Sequence, residues 1–272
     1  MTLTRSQVVE LLDRHGVRPS RALGQNFVVD ANTVRNIARL AGVGEGDRVV
    51  EIGAGVGSLT LALAETGAAV TAVEVDRHLQ AALEETTAGL VVRLVHADAR
   101  RLCWSELLEG DGWVLVANLP YNVGTPLLAD LLDDVHQIAR FVVMVQSEVA
   151  DRLVAGPADG KAYGALSVKV ASWARARRLA TVPPSVFLPR PRVASAVVEL
   201  VRHSQPVVPD DVDRDVLSAL VRQAFGQRRK MLRRSLAGTV APDAFERSGI
   251  DPAARPEALE LSDWIELVRA VR

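Results

Sequence analysis

Three glycines at alternate positions, Gly53, Gly55 and Gly57, follow Glu51 as E-x-G-x-G-x-G at the end of an apolar run. Glycine is required where a strand turns sharply into a helix and a ligand must approach the backbone with no Cβ in the way. A dinucleotide fingerprint, G-x-G-x-x-G, would put glycine where this chain has Ser58, and a P-loop would need Lys-Ser or Lys-Thr after the glycines. A nucleoside-type ligand without a pyrophosphate remains, and S-adenosylmethionine is the commonest such ligand. An ordinary strand-to-helix turn would also account for the glycines. Glu74 lies 21 residues beyond Gly53, about the spacing at which a carboxylate receives ribose hydroxyls. Asp98 ends a third apolar run, where it could accept a hydrogen bond from an adenine amine, and Asn118 ends a fourth. Any one of these polar residues reads equally as a cap or a solvated turn. Four at successive strand ends would line one crevice.

Asn118 opens the tetrapeptide N-L-P-Y, Asn118 to Tyr121. An exocyclic amine of a base is a poor nucleophile, because its lone pair is delocalised into the ring. Two acceptors aimed at its protons, the Asn118 side-chain oxygen and the Leu119 carbonyl, would draw it out of conjugation. Pro120 would stiffen the loop that holds them. Tyr121 offers a ring face to the base, a contact worth about 1–3 kcal/mol. The pattern suits methyl transfer to a base amine and needs no general base of shifted pKa. A proline-containing turn with a core tyrosine is the plainer alternative.

The elements that must position these residues follow from periodicity. Residues 30–42 have helical spacing of apolar positions, closed by Gly42. Apolar runs at RVVEIGAG, AAVTAVEVD, LVVRLVHAD and GWVLVANLPY alternate with helical segments, the weakest of them around Trp104 to Leu108. Strands that are continuously apolar are covered on both faces, so the spacing predicts an α/β, doubly wound, mostly parallel sheet. A helix at 126–135, a strand RFVVMVQ, a helix at 147–155 and strand-like stretches at 165–173 and 193–201 follow. HSQPVVPDD, residues 203–211, reads as a linker to a small all-helical C-terminal domain. That domain is read as one long helix over 212–238 and short helices at 242–248 and 256–270. The boundaries are therefore 1–203 for a catalytic domain and 204–272 for the helical one.

The chain has 272 residues, 49% hydrophobic and 24% charged, values of an ordinary globular protein. No apolar run reaches membrane-spanning length, and the start MTLTRSQVVELLDRHG lacks an apolar signal core, so a soluble cytoplasmic protein is expected. With one cysteine, Cys103, and five scattered histidines, no metal site is expected. Net charge is −1, yet no acid occurs between Asp159 and Glu199 or between Asp215 and Asp243. The first gap holds Arg175, Arg177 and Arg178; the second holds Arg228, Arg229, Lys230, Arg233 and Arg234. Such a basic face suits phosphates, although a solvated helix face explains each cluster as readily.

Taken together, LGQNFVVD (23–30), VVEIGAGVGSLT (49–60), VEVD (73–76), HADA (96–99), NLPYNVGTPLL (118–128), DRLVAGPADGKAYGALSV (151–168), VFLPRPRVASAVV (186–198) and AFGQRRKMLRRSL (224–236) resemble the small-subunit ribosomal RNA adenine N6,N6-dimethyltransferases, the kasugamycin-sensitivity family. The resemblance covers nearly the whole chain. It implies the class I S-adenosylmethionine-dependent methyltransferase fold and dimethylation of two adjacent adenosines in a loop near the 3′ end of small-subunit ribosomal RNA, in an assembling particle, by a monomer. It also implies that Asn26 and Val28 contact S-adenosylmethionine, Gly53 packs under its methionine part, Glu74 binds the ribose and Asp98 the adenine amine. Asn118 would lie between cofactor and target, and Phe187 would sandwich the flipped adenine against Tyr121. Arg228, Arg229, Lys230, Arg233 and Arg234 would bind RNA. Departures from the family pattern are mild at Ala54 for a proline, Val28 for a leucine, Ala97, Met231 and Arg234; the near-neutral charge is a less mild one, as members of this family tend to be basic. Two relatives on the same fold are the alternatives: macrolide-resistance methyltransferases of large-subunit RNA, and RNA-binding factors without catalysis.

Overall fold

Apolar, β-branched runs and helical stretches alternate along the chain, and in the computed structural model, which describes residues 2–20 and 22–271, each becomes the expected element over most of the first half. In chain order these are α1 (Arg5–Arg14), β1 (Phe27–Val28), α2 (Ala31–Ala41), β2 (Arg48–Ile52), α3 (Ser58–Ala64), β3 (Ala69–Glu74), α4 (Gln80–Thr87), β4 (Val92–His96), α5 (Trp104–Leu107), β5 (Trp113–Asn118), α6 (Gly124–Asp134), β6 (Ile138–Gln146) and α7 (Ser147–Val154). The remainder comprises α8 (Ala165–Trp173), β7 (Ala174–Val182), β8 (Phe187–Leu188), β9 (Ser195–Arg202), α9 (Arg214–Gly226), α10 (Leu232–Ser235), α11 (Pro242–Ser248) and α12 (Leu261–Val271). Among the described residues no helix is long and apolar enough to cross a membrane.

The chain divides into two units, one made of residues up to Ala150 with Arg177–Val201, the other of Asp151–Ala176 with Arg202 onward. The first unit is built on a seven-stranded sheet of order β4-β3-β2-β5-β6-β9-β7. Pairing is parallel from β4 through β6, and β9 runs antiparallel to β6. Val49, Val50, Leu115, Val116, Phe141 and Val142 are almost or wholly inaccessible, which is why these strands are apolar on both faces. Asp30 caps α2 by accepting from the Thr33 N–H at 2.7 Å, and Gly42 closes it with φ of +56°. A separate two-stranded ladder pairs Phe27 with Leu188 and Val28 with Phe187.

The second unit is helical. Tyr163, Val168, Leu217, Leu220, Leu232, Phe245, Trp264 and Val268 share its core, and the Tyr163 ring meets Phe225 edge-on at 5.8 Å. Residues 151–176, read from sequence as part of a 1–203 domain, group here because Tyr163 and Val168 are buried among these helices. The Tyr163 hydroxyl donates to the Leu259 carbonyl at 2.8 Å.

Two expectations about local structure change, and one element is added. The stretch 165–173 is helix α8, with the Gly164 N–H donating to Ser167 Oγ at 3.1 Å; the strand is the following segment, β7. The long helix expected over 212–238 is two helices, α9 and α10, separated by a turn that holds Arg228, Arg229 and Lys230. Helix α1, capped by Thr4 and Gln7, adds an element that the periodicity did not single out.

Candidate active site

Parallel strands β2, β3, β4 and β5 present their carboxyl ends along one edge of the sheet, and the residues there line a single cleft: Gly53 and Gly55 after β2, Glu74 ending β3, Asp98 beyond β4, and Asn118, Leu119 and Tyr121 at the end of β5. Asn26 and Val28 line it as well. The structure thus brings together every residue expected to meet a cofactor, although they come from five separate segments.

The glycine loop is tied to β3. Gly53 and Ala54 donate to the Val73 carbonyl at 2.8 and 3.2 Å, and Gly55 donates to Glu74 Oε2 at 2.8 Å. Gly53 has φ of +76°, a conformation that disfavours any side chain. A Cβ there would meet only Asn118 O at 3.8 Å and Pro120 Cδ at 4.0 Å, so the space beside it remains open to a ligand. Glu74 Oε1 accepts from the Val75 and Asp76 N–H groups at 3.0 and 2.9 Å. Burial pushes the Glu74 carboxyl above its usual range, and these three backbone bonds oppose that shift. Oε2 keeps a lone pair after the Gly55 bond, enough for one hydroxyl.

Asp98 is oriented by Arg100, whose Nε and Nη2 donate to Oδ1 and Oδ2 at 3.2 and 2.8 Å. That pairing holds the Asp98 carboxyl below its usual range. Glu51 had no role assigned from sequence. It lies within the apolar β2, 1% exposed, and lines the cleft. Burial raises its carboxyl to about 8; a 2.6 Å bond from Thr60 opposes the shift, and the neighbouring Glu74 adds to it. An acid inside an otherwise apolar strand was the signal available in the sequence. Glu51 thus keeps its proton at neutral pH and is uncharged there, while Glu74 and Asp98 offer acceptor oxygens; a nucleoside bearing ribose hydroxyls and an adenine amine fits this acceptor set.

At the end of β5 the Asn118 amide is fixed by a distant contact: Nδ2 donates to the Asn26 carbonyl at 2.9 Å. A carbonyl can only accept, so this partner settles which end of the amide is nitrogen and leaves Oδ1 as the acceptor available to a substrate. Two further amides hold the same N-terminal segment. Asn122 Nδ2 donates to the Ala22 carbonyl at 2.8 Å, and Gln25 Nε2 donates to Asp76 Oδ2 at 2.7 Å. Partners 100 and 51 residues away in the chain leave no trace in local patterning. Tyr121 is half-buried in the cleft.

Two groups of expected residues are placed differently. Phe187, expected to stack on a base, is 0% exposed and does not line the cleft. Its ring belongs to the cluster with Val28, Val34 and Ile37, because β8 pairs with β1 and takes the side chain inward. Arg228, expected to meet phosphate, has its guanidinium committed. It donates to the carbonyls of Gly160, at 2.7 Å, and Tyr163, lies over the Phe225 ring and sits 3.8 Å from Glu257. Arg229, Lys230, Arg233 and Arg234 are exposed.

This strand order with its carboxyl-edge cleft is the class I S-adenosylmethionine-dependent methyltransferase fold. Two crystal structures share it: a dimethyladenosine transferase from Plasmodium falciparum (TM-score 0.73, 22% identity, 87% of this chain and 94% of that one) and the 23S rRNA methyltransferase ErmE (TM-score 0.67, 23% identity, 90% and 99%). Residues 17–271 match the family described as ribosomal RNA adenine dimethylase, and the chain belongs to that family. Among its relatives are proteins named ribosomal RNA small subunit methyltransferase A from Kineococcus radiotolerans, 46% identical over 97% of this chain and 90% of the relative, and from Streptomyces coelicolor, 46% identical over 96% and 94%.

Proposed function

We propose that the chain dimethylates the N6 amines of two adjacent adenosines in small-subunit ribosomal RNA, in a loop near the 3′ end, within an assembling particle. The names of its 46%-identical relatives favour the small subunit over the large-subunit alternative. The observation that supports the chemistry best is the Asn118 amide, whose nitrogen is held by the Asn26 carbonyl so that its oxygen remains to accept from an amine.

When bound, S-adenosylmethionine supplies a methyl group on a positively charged sulfur. Glu74 takes a ribose hydroxyl on Oε2, and Asp98, steadied by Arg100, takes the adenine amine. Asn26 and Val28 close the cleft from the N-terminal side, and the bare backbone at Gly53 admits the methionine part. Asn118 Oδ1 and the Leu119 carbonyl would accept hydrogen bonds from the N–H groups of the target amine, which takes its lone pair out of conjugation with the ring and leaves it free to attack. Such bonds strengthen as the transition state forms, so they act on rate more than on binding. The N–C bond would form as the methyl's bond to sulfur breaks and leaves a neutral thioether; the amine nitrogen, cationic on alkylation, would release a proton to solvent, so no side chain need be poised as a base.

Arg229, Lys230, Arg233 and Arg234 supply positive charge for the RNA backbone. Phe187 would have to leave its apolar cluster to reach a flipped base, so Tyr121 is the aromatic that meets the target in this conformation. The decisive experiment is single-turnover methyl transfer to undermethylated small-subunit particles by Asn118→Ala. Its rate should fall by at least two orders of magnitude while S-adenosylmethionine affinity changes less than threefold; a wild-type rate would refute the assignment.

A further inference from the structure

One contact at the target end of the cleft has no part in the chemistry above. The Tyr121 hydroxyl lies 2.6 Å from Ser195 Oγ. Ser195 is 0% exposed and is the first residue of β9. Because β9 runs antiparallel to β6, it begins where the parallel strands end. Its first residue pairs with Gln146, the last of β6, and the preceding Ala194 carbonyl accepts from the Ser147 N–H at 2.9 Å. The hydroxyl of Ser195 is therefore rooted in the rigid edge of the sheet that bounds the cleft.

Tyr121 sits in a loop. Its backbone follows Pro120, whose carbonyl accepts from Gly124 at 2.7 Å, and this turn fixes one end of the side chain. A phenyl ring fixed at one end keeps rotational freedom about two torsions. Anchoring the phenol oxygen at Ser195 fixes the other end of the ring axis, and because a phenol hydroxyl conjugated with its ring bonds best in the ring plane, the direction of this bond also biases rotation about that axis. Burial also raises the phenol pKa, so the hydroxyl stays protonated and able to share this bond through the neutral range.

We propose that Ser195 is a positioning residue for methyl transfer: through its hydrogen bond it holds the Tyr121 ring in the plane on which the target adenine stacks. This deepens the reading of Tyr121 given above and rests on it. Stacking needs a face of set orientation, and the adenine must present its amine to Asn118 at the same moment. A ring that tilts would leave the base bound but misaimed, so the effect falls on turnover. A buried serine whose role was merely to fill space would need no partner of this kind, and its loss would not depend on the phenol.

The test uses the full chain, tritiated S-adenosylmethionine and undermethylated small-subunit particles. Ser195→Ala and Tyr121→Phe should each lower the single-turnover rate about tenfold, with cofactor affinity by calorimetry unchanged. The double variant should be no slower than either single one, since both remove the same bond. A wild-type rate in either single variant overturns the proposal, and so do losses that multiply in the double variant, which would mean that Ser195 acts apart from Tyr121. If Ser195→Ala does not fold, Tyr121→Phe decides alone. Tyr121→Ala separates the two levels of argument: a wild-type rate there refutes stacking on Tyr121 itself, whereas a slow Tyr121→Ala beside a fast Ser195→Ala refutes only the anchor.

Discussion

Replacing Gly53 by alanine separates the cost to the fold from the cost to the ligand. Gly53 has φ of +76°, and a methyl group built there lies 3.8 Å from Asn118 O and 4.0 Å from Pro120 Cδ, ordinary contact distances. The penalty to folding is then the left-handed backbone alone, about 1–2 kcal/mol. In a chain of this size that lowers the melting temperature by roughly 2–8 °C. The same methyl group stands where the methionine part of S-adenosylmethionine must approach the backbone, so affinity should fall more than tenfold, a loss of at least ~1.4 kcal/mol. Gly57 is the control. It has φ of +86° and does not line the cleft, and a Cβ there would come within 2.9 Å of Thr86 Cγ2 and 3.1 Å of Leu83 Cδ1. Gly57→Ala adds overpacking of about 1–3 kcal/mol to the backbone strain, yet it should retain near-wild-type affinity below its melting temperature. Calorimetric titration with S-adenosylhomocysteine and thermal melts of both variants make the comparison. Wild-type affinity in Gly53→Ala would refute the placement of the ligand; affinity lost in proportion to stability in both variants would show that the loop acts only through folding.

Other outcomes follow from the same geometry. Glu74→Ala and Asp98→Ala should each weaken S-adenosylmethionine binding by about 0.5–1.5 kcal/mol or more, and calorimetry showing unchanged affinity in both would contradict the cleft assignment. Burial raises Glu51 to about 8 from 4.5, so the folded chain keeps a proton that the unfolded chain releases. That contribution to stability is complete below about pH 4.5 and is lost as pH rises through 8, at up to ~1.4 kcal/mol per pH unit. Glu51→Gln should flatten this decline in denaturant titrations of the ligand-free protein at pH 6 and pH 8, and an unaltered difference between the two would disprove it. Arg228→Ala should destabilise the helical unit by about 1–3 kcal/mol and leave the salt dependence of particle binding intact. Alanine at Arg229, Lys230 and Arg233 together should instead flatten the slope of log affinity against log salt by roughly 0.7–0.9 per lost phosphate contact. Equal slopes for that triple variant and the wild type would move the RNA contact away from this cluster.

The alternation from Arg48 to Asn118 was legible because a parallel sheet covered on both faces demands continuous apolar strands, and the glycines and acids at their ends fall in register. Gly42 marked a helix end for the reason it does so in the structure, its positive φ. Where a decision depended on distant partners, the chain was opaque. ALSVKVASW, with two valines and a tryptophan, has the composition of a strand but is helix α8, whose Val168 and Val170 are buried, Val168 in the helical core. ARARRLATV shows no apolar alternation because β7 is an edge strand with only its ends, Ala174 and Val182, fully buried. Arg228 is indistinguishable in sequence from Arg229, and only the carbonyls of Gly160 and Tyr163 make it a structural clamp. Glu51 stood within the glycine motif, yet its unusual protonation depends on burial, which spacing alone does not convey.

The chain leaves the first unit after Ala150, returns at Arg177 and leaves again after Val201. A fragment cut at the linker would therefore retain Asp151–Ala176 but lose the partners of Tyr163 and Val168, Leu217, Leu220 and Trp264 among them. It would carry into solution an apolar surface that belongs to the missing half and would be prone to aggregate. Nor can the helical unit be grafted as a single cassette onto another methyltransferase, since part of it is encoded within the catalytic half. Exchange between relatives has to transplant both segments together.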